Sequence, residues 1–194
     1  LALGLGKGDW LWTSPNSFVA SANCALYCGA EVDFVDIDEY GNMCASTLEQ
    51  KLKQAEREGR LPKIVVPVDF SGHSCAMREI HRLAQQYGFK IIEDASHAVG
   101  AEYLGRSVGS CEYSDITIFS FHPVKLITTG EGGMALCKNA SYAEVMMQLR
   151  SHGITRDHKV MESIDADPWY YEQQQLGFNY RMTDVAAALG LTQL

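Results

Sequence analysis

Apolar and polar positions along the chain switch between a two-residue and a helical repeat at short intervals. Trp10 to Thr13 reads as a short strand, Ser14-Pro15-Asn16 as a turn, and about Ser17 to Tyr27 as a helix that stops near Gly29. Glu31 to Ile37 alternates, with Val32 and Phe34 on one face and Asp33, Val35 and Ile37 on the other, and ends in a turn at Tyr40-Gly41-Asn42. Ser46 to Glu58 is helical and closed by Gly59. Lys63 to Val68 is a strand that Pro67 confines to a sheet edge or a strand end, because proline has no N–H for a ladder. Ser74 is placed to cap a helix in which Met77, Ile80, Leu83, Ala84 and Tyr87 recur at helical spacing before Gly88. Phe89 to Glu93 is a strand ending in Asp94, and Asp115 to Ser120 is another. Gly130 to Gly133 turns into a strand at Met134 to Cys137, Ala140 to Leu149 is helical, and a last helix begins near Thr183. The first ten residues read as the tail of a helix running into a loop. Asp157 to Gln175, polar and aromatic, reads as an irregular excursion.

Strands alternating with helices define an α/β domain with a mainly parallel central sheet flanked by helices, where ligands collect at the carboxyl ends of the strands. That rule selects Asp94 and the loop from Ser120 to Lys125. A composition of 46% hydrophobic and 21% charged residues is that of an ordinary globular domain. The net charge of −8 argues against broad nucleic-acid binding, which recruits clustered Lys and Arg. No apolar run is long enough to cross a membrane. The six cysteines are scattered, Cys24 and Cys28 being the close pair, and they signal neither a zinc site nor a disulfide framework. Reduced thiols and a cytoplasmic location are expected.

Two constellations can carry chemistry. Glu93-Asp94-Ala95-Ser96-His97 puts a carboxylate just beyond an apolar strand, where burial is costly without a cationic partner. A protonated pyridine nitrogen is one such partner, and the alternative is that Asp94 caps a following helix. His97, three residues on, can cover the face of a planar ring or serve as a hydrogen-bonded structural histidine. Phe18 can stack on the opposite face or simply fill core. Phe119-Ser120-Phe121-His122-Pro123-Val124-Lys125 delivers a hydroxyl and then an amine to one region. Lysine forms Schiff bases when its surroundings lower its pKa, although a loop lysine is ordinarily a surface residue. The histidines have no metal-ligand spacing, so no metal is expected.

In order along the chain stand TSPNSFVASANCALYCGAEVDFVDID, VVPVDFSGHSCAM, IIEDASHAVGAEYLGRSVGS, FSFHPVKLITTGEGG, LRSHG and GFNYRMTDVAAALGLTQL. Together they resemble the DegT-like sugar aminotransferases, pyridoxal-phosphate (PLP) enzymes of the aspartate-aminotransferase, fold-type I superfamily. The resemblance covers nearly the whole chain. It implies that residues 1–194 form the PLP-binding large domain, truncated at both ends, without the N-terminal phosphate-binding segment and the small C-terminal domain.

By that resemblance Lys125 is the Schiff-base lysine, Asp94 pairs with the pyridine nitrogen, Ser120 binds the cofactor phosphate and His97 lies against the ring. Asn179 reaches the phosphate of a neighbouring subunit, and Arg181 and His122 lie on the substrate side, which implies a homodimer with a cross-subunit site. DASHA, SFHPVK and RSHG look most like the branch of the family that serves pseudaminic-acid synthesis. The implied substrates are a UDP-linked 4-keto-6-deoxy-N-acetylhexosamine, aminated at C4, and L-glutamate as donor. Two alternatives stay open. One is a family member with another nucleotide, such as dTDP, or with C3 amination, and the other is a catalytically idle fragment retaining only the fold. Related sugar dehydratases resemble this chain with histidine in place of the lysine, so Lys125 counts against them.

Overall fold

The computed structural model describes residues 1–163 and 167–194. The first half alternates β1 (Trp10–Thr13), α1 (Ala20–Tyr27), β2 (Glu31–Phe34), α2 (Ala45–Glu58) and β3 (Ile64–Val66). A single 3₁₀ turn (Phe70–Gly72) leads to α3 (Met77–Tyr87) and β4 (Lys90–Asp94). A small ribbon, β5 (Glu102–Tyr103) with β6 (Arg106–Ser107), precedes β7 (Ile116–Ser120), β8 (Gly133–Leu136) and α4 (Ala140–Arg150). A second ribbon, β9 (Ile154–Thr155) with β10 (Glu172–Gln173), and α5 (Asp184–Leu191) complete the described elements.

Six strands form one sheet in the order β2-β1-β3-β4-β7-β8. All neighbours run parallel except β7 and β8, which pair antiparallel from Thr117 with Leu136 to Ser120 with Gly133. Side-chain alternation along each strand divides two layers. Trp12, Val65 and Ile91 join Leu48, Leu52, Met77, Ile80 and Leu83 beneath α2 and α3. Their neighbours Leu11, Ile64, Val66 and Ile92 pack with Leu5 and Ala25 on the α1 side. α2 shows the logic locally. Leu48, Leu52 and Ala55 share its buried face, Glu49 and Lys53 pair at 3.0 Å on the wet face, and Gly59 caps it at φ +66.

The structure departs from the sequence reading at three points. The first residues form no helix: Gly4 N–H closes a turn onto the Leu1 carbonyl at 2.7 Å, and Leu5 packs into the core. α1 starts at Ala20, three residues after the expected Ser17. Ser74 does not cap α3, because its hydroxyl bonds the Cys75 carbonyl at 3.2 Å and Ala76 holds the cap position. Pro67, by contrast, stands at a strand end as expected, directly after Val66, and the pairing with β4 resumes beyond it as a parallel bridge between Val68 and Asp94. The 157–175 excursion contains the β10 strand and a turn near Trp169, and its residues 164–166 lie outside the described residues.

Candidate active site

The parallel strands β1, β3, β4 and β7 bring their carboxyl ends to one rim. Asp94 has the same parity on β4 as Ile92, so it faces the α1 layer, and a helix side chain meets it there. Ser21 Oγ donates to Asp94 Oδ2 at 2.7 Å, and Ser17 Oγ lies 2.7 Å from Ser21 Oγ one helical turn earlier. Asp94 Oδ1 accepts from Ser96 N–H at 3.2 Å. The capping alternative for Asp94 is overturned, since residues 95–101 form turns and no helix follows. No Lys or Arg pairs with Asp94 among the described salt bridges.

Ser120 ends the neighbouring strand β7, two residues beyond Ile118, the register partner of Asp94. Its Oγ accepts from His122 N–H at 3.4 Å, and its own proton is committed to no acceptor among the described residues. The loop that follows is pinned at its base. Phe121 N–H donates to the Gly132 carbonyl at 2.9 Å, while Thr129 N–H and Thr128 Oγ1 donate to the Phe121 carbonyl at 3.0 and 3.1 Å. Glycine is required on the return: a Cβ on Gly133 would stand 2.9 Å from the Phe119 carbonyl oxygen, and one on Gly132 would stand 2.1 Å from Thr129 Oγ1. The end of the chain braces the same loop, Gln193 bonding Thr128 N–H at 3.1 Å and the Thr128 carbonyl at 2.7 Å.

Lys125 sits within this loop, half-buried, with its N–H donating to the His122 carbonyl at 2.9 Å. Lys51, Lys53, Lys63, Lys90 and Lys138 are held in ion pairs, whereas Lys125 is in none among the described residues. His122 is exposed beside it. His97 is exposed three residues beyond Asp94. Phe18 is 78% exposed at the start of α1, between Ser17 and Ser21, so the core alternative for its ring is overturned. Asn179 and Arg181 are exposed, and the backbone there is zipped to the end of α4, with Tyr180 N–H on the Arg150 carbonyl at 2.9 Å. Among the described residues no hydrogen bond, ion pair or ring contact joins Asn179 or Arg181 to Asp94, Ser120 or Lys125.

Sequence reasoning missed the residues that support this rim. Ser21 was legible only as the helical neighbour of Ser17, because its partner Asp94 is 73 residues away. Asp69 is fully buried, and its Oδ2, like Ser14 Oγ just beyond β1, has no hydrogen-bond partner among the described residues. Burial, with the nearby Glu93 carboxylate, pushes the Asp69 carboxyl up to about 7. Burial raises Glu93 as well, opposed by donation from Thr117 Oγ1 at 2.7 Å and Ser114 Oγ at 3.3 Å. Asn42 also went unnoticed. Its Oδ1 accepts from Phe70 N–H at 2.9 Å, and its Nδ2 donates to the His73 carbonyl at 3.0 Å.

A mostly parallel central sheet flanked by helices is the architecture this chain shares with fold-type I aminotransferases. The chain belongs to the DegT/DnrJ/EryC1/StrS aminotransferase family, which matches it over residues 1–194. It is 44% identical over 193 residues to the UDP-4-amino-4,6-dideoxy-N-acetyl-beta-L-altrosamine transaminase of Campylobacter jejuni subsp. jejuni serotype O:23/36 (strain 81-176), covering 100% of this chain and 47% of that relative. Among solved structures it is similar to Helicobacter pylori PseC, an aminotransferase involved in the biosynthesis of pseudoaminic acid. That similarity has a TM-score of 0.84 and 32% identity, over 96% of this chain and 46% of that one. NtdA of Bacillus subtilis, solved with bound cofactor PMP, has a TM-score of 0.79 and 28% identity, over 99% of this chain and 40% of that one. The chain thus spans about half the length of the curated relatives it matches. Among the described residues no helix is long and apolar enough to cross a membrane.

Proposed function

We propose that residues 1–194 are the cofactor-binding large domain of a PLP-dependent aminotransferase. Its substrate is a UDP-linked 4-keto-6-deoxy-N-acetylhexosamine, aminated at C4 with L-glutamate as donor. The observation that carries the reading is the half-buried Asp94 carboxylate, held by Ser21 and Ser96 and paired with no protein cation among the described residues. Such a group calls for a cationic ring nitrogen. The uncommitted hydroxyl of Ser120 on the adjacent strand end and the unpaired Lys125 in the following loop complete a donor set that fits PLP. The activity for which the Campylobacter relative is named supports the choice of sugar.

PLP, when bound, supplies an electron sink for a carbanion at the carbon bearing the amine. The chain's own residues do the rest. Asp94 would hold a proton on the ring nitrogen, its carboxylate oriented by Ser21 on Oδ2 and by Ser96 N–H on Oδ1. Ser120 donates to the phosphate, with Asn179 of a second copy reaching the same phosphate. His97 and Phe18 would lie against the ring. Lys125 Nζ would hold the cofactor and would carry the proton that moves at the substrate carbon. Arg181 and His122 face the substrate. In the net exchange the amino group of glutamate and the C4 carbonyl oxygen of the sugar change places, so that a keto acid and an amino sugar are formed.

Borohydride reduction of the PLP-loaded protein followed by peptide mapping tests this reading. The expected adduct lies on Lys125 and is absent in Lys125→Ala. An adduct on another lysine, or no visible band from lysine-bound PLP before reduction, refutes it.

A further inference from the structure

The segment 67–75 continues β3 beside the end of β4, bridged in parallel at Val68 and Asp94, and then turns as a strap whose Gly72 meets the turn bearing His97. Asp94 N–H donates to the Pro67 carbonyl at 2.9 Å, and Asp69 N–H donates to the Asp94 carbonyl at 3.0 Å. Gly72, at φ +85, packs so closely on His97 that a Cβ would stand 2.8 Å from the His97 carbonyl oxygen. The strap is closed on itself by one carboxyl group: Asp69 Oδ1 accepts from Cys75 N–H at 2.9 Å, and the Cys75 thiol donates to the Val68 carbonyl at 3.2 Å. Asn42 bonds the strap from outside, through Phe70 N–H and the His73 carbonyl.

We propose that Asp69 is a positioning residue, which locks the 67–75 strap against the end of β4 and so sets Asp94 and His97 without touching the cofactor. The cofactor arm of its test rests on the PLP reading above, and the backbone arm does not. Below pH 7 Asp69 does this mainly as a neutral acid. Its Oδ2 is buried without a partner among the described residues, and the charges that bear on it are Glu93 and Asp94 from β4, with the Cys75 thiol as its other titratable neighbour. None is a cation. Its pKa of about 7 in the folded chain lies above the ordinary 3.8, so the fold binds this proton more tightly than the unfolded chain does. Stability from the protonated strap is therefore full at acid pH and falls as pH rises towards 7, where ionisation sets Asp69 against Glu93 and Asp94.

The test is hydrogen exchange of the amides of residues 92–97 across pH 5 to 9, corrected for the intrinsic rate, on wild type, Asp69→Asn and Asp69→Ala. In wild type the protection of Asp94 N–H is expected to decline by roughly tenfold between pH 5 and 7 and to level off above 7, the scale of one weakened buried hydrogen bond. Asp69→Asn keeps an acceptor for Cys75 N–H and cannot ionise, so its protection should match wild type at pH 5 and stay flat to pH 9. Asp69→Ala should be unprotected at every pH. A decline in Asp69→Asn that parallels wild type, or a flat wild-type profile, overturns the proposal even if Asp69→Ala does not fold. PLP retention, read by visible absorbance, should follow the same pH profiles. A wild type that shows exchange as expected but never binds PLP would refute the cofactor reading and leave the strap standing.

Discussion

Gly72→Ala adds one methyl group at the point where the strap meets the turn after Asp94. Two costs arise, and a second glycine separates them. At φ +85 an alanine pays the left-handed backbone penalty, about 1–2 kcal/mol. Its Cβ would also stand 2.8 Å from the His97 carbonyl oxygen, where ordinary contact begins at 3.4 Å, so a rigid main-chain atom must move by 0.6 Å. Overpacking of that kind costs about 1–3 kcal/mol. Gly88, the C-cap of α3, has a similar φ of +79 and nothing within 4 Å of the added Cβ, so Gly88→Ala carries the backbone cost alone. Thermal unfolding should therefore place Gly72→Ala about 3 kcal/mol below wild type, a fall of roughly 6–12 °C for a chain of this size, and Gly88→Ala about 1 kcal/mol below. Gly72→Ala should also weaken PLP retention by displacing His97. Equal losses in the two variants would show that the His97 main chain yields freely, and the picture of a firmly seated strap would be wrong.

Other outcomes follow from the same geometry. Asp94→Asn should cut turnover by far more than it weakens PLP binding, because the Ser120 and Lys125 contacts remain; near-normal single-turnover rates would remove its role at the ring nitrogen. Mixing inactive Lys125→Ala and Asn179→Ala subunits should restore activity through hybrid dimers carrying one intact site, and no recovery after verified exchange would confine Asn179 to its own subunit. Gln193→Ala leaves Thr128 N–H and its carbonyl without partners, and it should cost about 1–2 kcal/mol and speed proteolysis of the 121–129 loop; a protease pattern identical to wild type would show that Gln193 does not brace the loop.

Local periodicity made the helices and strands legible. In α3 the residues expected on one face, Met77, Ile80, Leu83 and Ala84, are the buried ones, and Gly59 and Gly88 end their helices in the left-handed conformation expected of them. The rim was legible too, because parallel strands deliver Asp94 and Ser120 to the same side whatever their sequence separation. What stayed hidden depends on which strand lies beside which. Nothing near Ser21 announces an acid 73 residues on, and nothing near Asp69 announces that its neighbours will be Glu93 and Asp94. Ser74 misled for a related reason. A hydroxyl before an apolar helix satisfies the local capping rule, but the tertiary demand of Asp69 on Cys75 N–H decides how α3 begins.

The two margins of the sheet are unlike each other. β2 carries Glu31 and Asp33, and a 2.7 Å ion pair to Lys51 lies over its rim. β8 is Gly-Met-Ala-Leu, uncharged, with Met134 48% exposed and unpaired peptide groups along its outer side among the described residues. An uncharged outer strand is a template for another chain, and charge is one of the common guards against that. Concentrating this polypeptide thus exposes one side to self-association while the other repels it, and aggregates are expected to grow from the β8 margin.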